Sequence, residues 1–251
     1  MTSRLAEKFD CGPINDDPDY FHAHPNEKKS WDAEEVVGFD RVTIVIHEPD
    51  RRRRRTETTR IWSADSEEQK QRSKNLIIQM YEMLDLIRER CDFILHNATD
   101  GQLLSCIRSY RHDAMVINKG FVENPDVPLT PEFIRNGLRL FMATDHSIQQ
   151  LDPGNEGFQA VNKPKGLVRD SNAWFQGLDQ RLRAYHRHIV IRLPGPNDNY
   201  TKCVFIHELA HTPPNHVCFR PDDHKDDFRI FQWFFFNMVE RGDFITSRVY
   251  V

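Results

Sequence analysis

A chain of 251 residues, 39 % hydrophobic and 29 % charged, is long enough to bury one compact core with a short appendage. Its net charge of −4 and pI near 6.3 exclude a global pull toward nucleic acid or anionic membrane, so any basic contact must be local. No run approaches the roughly 20 apolar residues that span a bilayer, so no membrane partner is expected. The polar stretch Met1 to Phe9 has no apolar core, which predicts that no secretory signal is present. The five cysteines are scattered and odd in number, which predicts a reducing, intracellular location, cytoplasmic or nuclear.

Residues 1–35 are rich in Asp, Pro, Asn and Lys with few apolar positions, and read as an extended or disordered arm. Val42 to Ile46 is β-branched throughout and predicts a strand. It is followed by the run Arg51 to Arg55 and then by Thr56 to Trp62, a pattern that predicts a hairpin with an arginine-rich tip. Such a tip can meet phosphate, so nucleic acid is one candidate partner, although a solvated loop explains it better. Ser63 or Asp65 can cap a long helix to about Asn97, with Leu76, Ile77, Met80, Met83, Leu84 and Ile87 at helical spacing.

A shorter helix is predicted over Gly101 to Tyr110, and Thr130-Pro131 starts another that runs to about Leu151. Residues 152–172 read as a loop, followed by a short helix over Ala173 to Arg183. His188 to Leu193 predicts a strand, stopped by Pro194. Asn197 to Asn199 cap a helix to about Thr212, where Pro213-Pro214 end it. A last helix is predicted from His224 to Glu240, containing the densest apolar run, Ile230 to Phe236.

Within the penultimate helix stands His207-Glu208-Leu209-Ala210-His211. Residues four apart share a helical face, so the imidazoles of His207 and His211 can converge on one ion. Zinc accepts neutral imidazole nitrogen, and Glu208 beside the first ligand is placed to take a proton from water. Val204, Phe205, Leu209 and Ala210 can bury the other faces. A buried helix carrying two histidines and a glutamate is costly unless a metal or partners satisfy them.

A third ligand is needed, and His216 and His224 are the candidates. His224 opens a row with Phe228, Phe231, Phe235 and Met238, spaced to lie on one helical face directed at the core. That favours His224 over His216. The remaining histidines read as exposed or hydrogen-bonded, with a lesser prospect that Tyr185, His186 or His188 stabilises an oxyanion.

These stretches resemble the zincin metallopeptidases, and within them the SprT and WLM-type group. The resemblance rests on Ile189 to Leu193, His207 to His211, and His224-Lys225-Asp226-Asp227-Phe228, and covers roughly residues 185–240. Similar cores occur in metallopeptidase-like proteins of large DNA viruses. The resemblance implies an α+β, zincin-like fold, mostly helical with a small sheet, plus the N-terminal arm. With the arm read from composition, the chain divides into that arm (1–35) and a zincin-like domain (36–251), the latter comprising a hairpin and long helix (36–100), which the resemblance does not reach, and a catalytic core (101–251). The implied function is a zinc-dependent endopeptidase acting on protein or peptide, with Glu208 as general base and His207, His211 and His224 holding Zn2+. The strand at 188–193 is expected to pair with extended substrate. The competing expectation is a structural or assembly protein, such as a virion-associated component, that keeps the fold and a structural metal and binds its partner through the arm.

Overall fold

The structure, a computed structural model, describes residues 38–47, 54–117, 129–151, 160–164, 185–195, 197–213 and 226–241. Among these are five helices and two small sheets, an α+β arrangement. The arm, Arg51 to Arg53, the stretch expected as a helix over Ala173 to Arg183, His216 and His224 all lie outside the described residues.

Strands β1 (Phe39–His47) and β2 (Arg54–Trp62) form the expected antiparallel hairpin, in register from Phe39 opposite Trp62 to His47 opposite Arg54. Its inward face carries Ile44, Ile46, Thr59 and Ile61, all buried. Two of the five consecutive arginines belong to β2 rather than to the tip. Arg55 turns inward, and its Nη1 donates to Asp85 Oδ1 at 2.7 Å.

Helix α1 (Glu67–Asn97) buries Leu76, Ile77, Met80, Leu84 and Ile87 as the spacing predicts. Its cap is Ser66 rather than Ser63 or Asp65. Ser66 Oγ accepts from the Gln69 amide while the Gln69 side chain reaches back, so two orphaned amides at the helix start are satisfied reciprocally. Helix α2 runs over Asp100–Ile117, longer than expected.

Helix α3 (Pro131–Met142) starts where predicted, with Thr130 Oγ1 accepting from Phe133 N. It stops nine residues before the expected end, and the chain becomes strand β3 (Thr144–Gln150). The strand was concealed because its inward residues are largely polar: Thr144, His146 and Gln150 are buried beside Ile148. Each finds a partner. Thr144 Oγ1 donates to Leu140 O, His146 bonds Thr212 Oγ1, and Gln150 bonds Trp62 N, Asp65 and Leu193 O. Polar residues alternating with polar residues leave no period-2 hydrophobic signal.

The loop expected over 152–172 contains strand β4 (Ala160–Pro164). Strand β5 (Tyr185–Ile191) begins three residues before the expected start and is the middle strand of the sheet, order β3-β5-β4, parallel to β3 and antiparallel to β4. Both of its edges are therefore occupied, so β5 cannot pair with an extended substrate as expected. Its successive residues Ile189, Val190 and Ile191 are all buried, as a strand covered on both faces requires.

Helix α4 (Asp198–Ala210) packs on β4, β5 and α5 (Asp226–Arg241), and α5 also packs on α1 and α2. Phe228, Phe231, Phe234, Phe235 and Trp233 on α5 are all buried and fill the centre of the molecule. No described helix is long and apolar enough to cross a membrane.

Candidate metal centre

Asn197 starts α4, its Oδ1 accepting from Tyr200 N at 2.8 Å, and Arg72 on α1 ties the same end by bonding Asp198 at 2.8 Å. From there the helix passes into the core: every residue from Val204 to Ala210 is buried. His211 is the C-cap, still in helical conformation, so the spacing of four from His207 keeps both rings on one side.

His207, Glu208 and His211 form a cluster whose potential ligand atoms all lie within 4.8 Å of one another. It is the one such group among the described residues. His207 and Glu208 are each only 5 % exposed. The two imidazole rings stand 5.0 Å apart and nearly perpendicular, at 79°.

The donor set suits a cation. Two ligands each about 2.0–2.1 Å from one zinc lie at most about 4.2 Å apart, so a separation bounded at 4.8 Å asks for no more than a small side-chain rotation. Imidazole nitrogen with carboxylate oxygen suits several divalent metals, and the cluster by itself does not select zinc.

Helix α5 supplies the opposite wall. The Phe228 ring lies 4.8 Å from the His207 ring and 4.4 Å from the His211 ring, so one aromatic braces both imidazoles. One turn further along, the Gln232 side-chain amide lies 3.2 Å from His207 Nδ1, in a buried position. The start of α5 is itself anchored: Tyr110 on α2 donates to Asp226 at 3.0 Å, and Trp233 Nε1 donates to Asp113 at 2.9 Å.

The structure therefore brings together His207, Glu208 and His211 as the spacing predicts, while His224 and His216 lie outside the described residues. Other histidines bear out their plainer reading. His96 and His112 are exposed beside Asp92 and Asp113, and His146 is buried against Phe141 and Thr212. His188 Nδ1 faces Ser147 Oγ at 2.5 Å and the Gln149 amide at 3.4 Å, outside the cluster. The sequence places Phe228 on the core-facing row of the last helix without linking it to His207 and His211, and it passes over Gln232. Gln232 had a signal, being the polar interruption in the apolar run Ile230 to Phe236.

No family model, no curated protein and no solved structure matches this chain.

Proposed function

We propose that this protein is a zinc-dependent endopeptidase of zincin type. The observation that carries the proposal is the convergence of His207, Glu208 and His211 within 4.8 Å on a buried helix packed beneath a small sheet. His207 and His211 hold the metal, and His224 is the favoured third ligand over His216. His224 stands four residues before Phe228 in sequence, and the Phe228 ring lies against both imidazoles.

A zinc ion bound there supplies Lewis acidity to water and to a peptide carbonyl. Glu208 takes a proton from the attacking water at a carboxylate oxygen and hands it to the departing amine nitrogen. Extended substrate aligns along the outer edge of β4, since β5 is paired on both sides and β3 faces the hairpin, where Thr59 Oγ1 bonds Ile148 O. A SprT-like activity would extend this to cleavage of proteins, including ones attached to DNA.

The 5 % exposure of His207 and Glu208, with a phenyl ring over both imidazoles, favours a second reading: a structural or assembly protein in which the metal stabilises the fold. Both readings expect about one zinc per chain in purified protein, lost in His207→Ala; well-folded wild type without metal sinks both. Peptide cleavage by wild type, with zinc retained and turnover reduced by orders of magnitude in Glu208→Gln, supports the enzyme. Zinc retention with no cleavage by wild type, and a melting temperature that falls on chelation, supports the structural role.

A further inference from the structure

Phe228 and Gln232 are four residues apart on α5 and present one face to the imidazole pair, the first by ring contact and the second by a polar contact. Gln232 is only 9 % exposed and lies within a run of aromatic and aliphatic residues, where an amide is costly to bury without a purpose. In this structure its Nε2 faces Nδ1 of His207 at 3.2 Å.

We infer that Gln232 is a positioning residue that sets the tautomer of His207 and aims its Nε2 at the metal. The inference rests on the metal reading proposed above. The two ends of a glutamine amide are interchangeable in shape, and which faces the ring follows from the proton inventory. With the nitrogen end toward Nδ1, as the structure has it, the amide donates, Nδ1 is the bare acceptor, and the ring's proton sits on Nε2, where it blocks coordination. With the oxygen end toward Nδ1, Oε1 accepts from Nδ1–H, and the Nε2 lone pair is left for the ion. Metal binding therefore selects the amide rotamer with Oε1 against the ring. That contact in turn fixes the ring's orientation, as outer hydrogen bonds do for metal-ligating imidazoles generally. Metal binding and the rotation of one buried amide are thus linked.

Zinc affinity measured by competition with a chromophoric chelator, on the full chain and on Gln232→Leu and Gln232→Glu, tests this. Leu matches the volume but accepts no hydrogen bond, so affinity falls by about 10–100-fold. Glu can only accept when ionised, so Gln232→Glu holds zinc at least as tightly as wild type. If Gln232 merely fills space, the order reverses, because Leu suits an apolar wall and a buried carboxylate does not. Far-UV circular dichroism and thermal unfolding of the metal-free proteins separate lost affinity from lost fold. Wild type that binds zinc while Gln232→Leu binds it within twofold overturns this inference and leaves the metal reading intact. Wild type that binds no zinc overturns both.

Discussion

Around α5 the interior is built from rings. Phe141 stacks at 4.6 Å from Phe235, Phe133 lies 5.7 Å from Phe231, and Trp233 meets Phe234 edge-on at 5.4 Å. Across the molecule, where β2, α1 and β3 meet, the interior is built from polar groups. Thr59 Oγ1 donates to Ile148 O, and Ile148 N donates to the Tyr81 hydroxyl at 3.0 Å. Arg55 bridges Asp85 and Glu57 with its guanidinium 5.2 Å from the Tyr81 ring centre, and Arg88 donates to Thr144 O at 2.8 Å. The difference lies in how each region tolerates change. Ring packing loses energy in proportion to what is removed, whereas a buried hydrogen-bond network loses most when one partner goes and the other stays.

The largest effect is expected in the aromatic region. Phe235 is fully buried between Phe141 and Phe231, and Phe235→Ala removes a ring that α5 cannot move inward to replace. Chemical denaturation should show a loss of about 3–5 kcal/mol. The approach of α3 leaves little room for rearrangement. A Cβ on Gly137 would lie 2.0 Å from Phe231 Cζ, so the helix and the ring are already as close as glycine permits. A loss below about 1 kcal/mol would mean that the region collapses on deletion, and the contrast with the polar side would fail.

This contrast also explains which parts of the molecule could be read in advance. The buried face of α5 follows from the spacing of Phe228, Phe231, Phe235 and Met238, and all four are buried. The convergence of His207, Glu208 and His211 follows from the spacing of the two histidines, because a helix converts sequence distance directly into direction. Strand β3 could not be read so. Its inward residues are Thr144, His146, Ile148 and Gln150; Thr144 is satisfied locally by Leu140 O, but His146 and Gln150 are apt for burial only because distant segments bring them partners. The hydrogen-bond partners of Gln150 come from residues 62, 65 and 193, a meeting that no local pattern encodes. Arg55 was hidden for the same reason: in a run of five arginines nothing local marks the one that faces Asp85. In the site itself, the residue that contacts His207 Nδ1 lies 25 positions away on another helix.

A smaller effect, on the polar side, sharpens the contrast. Gln150 is 1 % exposed, accepts from Trp62 N at 2.5 Å and donates to Leu193 O at 2.5 Å and Asp65 Oδ2 at 3.0 Å, joining the hairpin to the end of the sheet. Gln150→Leu keeps the volume and strands the partly buried Trp62 amide and the buried Leu193 carbonyl. Denaturation should show a loss of about 2–3 kcal/mol despite the added apolar surface. Stability equal to wild type would show that water or another group reaches those atoms, and the network would then be less closed than its geometry indicates.

The smallest effect is a slope with pH rather than a difference at neutrality. Burial pushes the Tyr81 hydroxyl up to about 12, with the neighbouring Glu57 carboxylate acting in the same direction and Arg55, Arg88 and the Ile148 amide opposing. Because the folded value lies above the ordinary value of 10.0, the neutral phenol is favoured in the folded state. Its contribution is complete below pH 10 and is lost as pH rises from 10 toward 12, where the unfolded chain ionises first. At pH 11 this amounts to about 1.4 kcal/mol relative to neutral pH, the value of one unit of the shift. The buried Cys91 thiol, also raised by burial, adds to the alkaline loss in wild type. A comparison of urea midpoints for wild type and Tyr81→Phe between pH 9 and 11.5 removes that shared component. The Phe variant starts lower at neutral pH, because the Ile148 amide loses its acceptor, and it should then fall less steeply with pH. Parallel curves would show that Tyr81 ionises as readily in the folded protein as in the unfolded chain, and that water penetrates this side of the core.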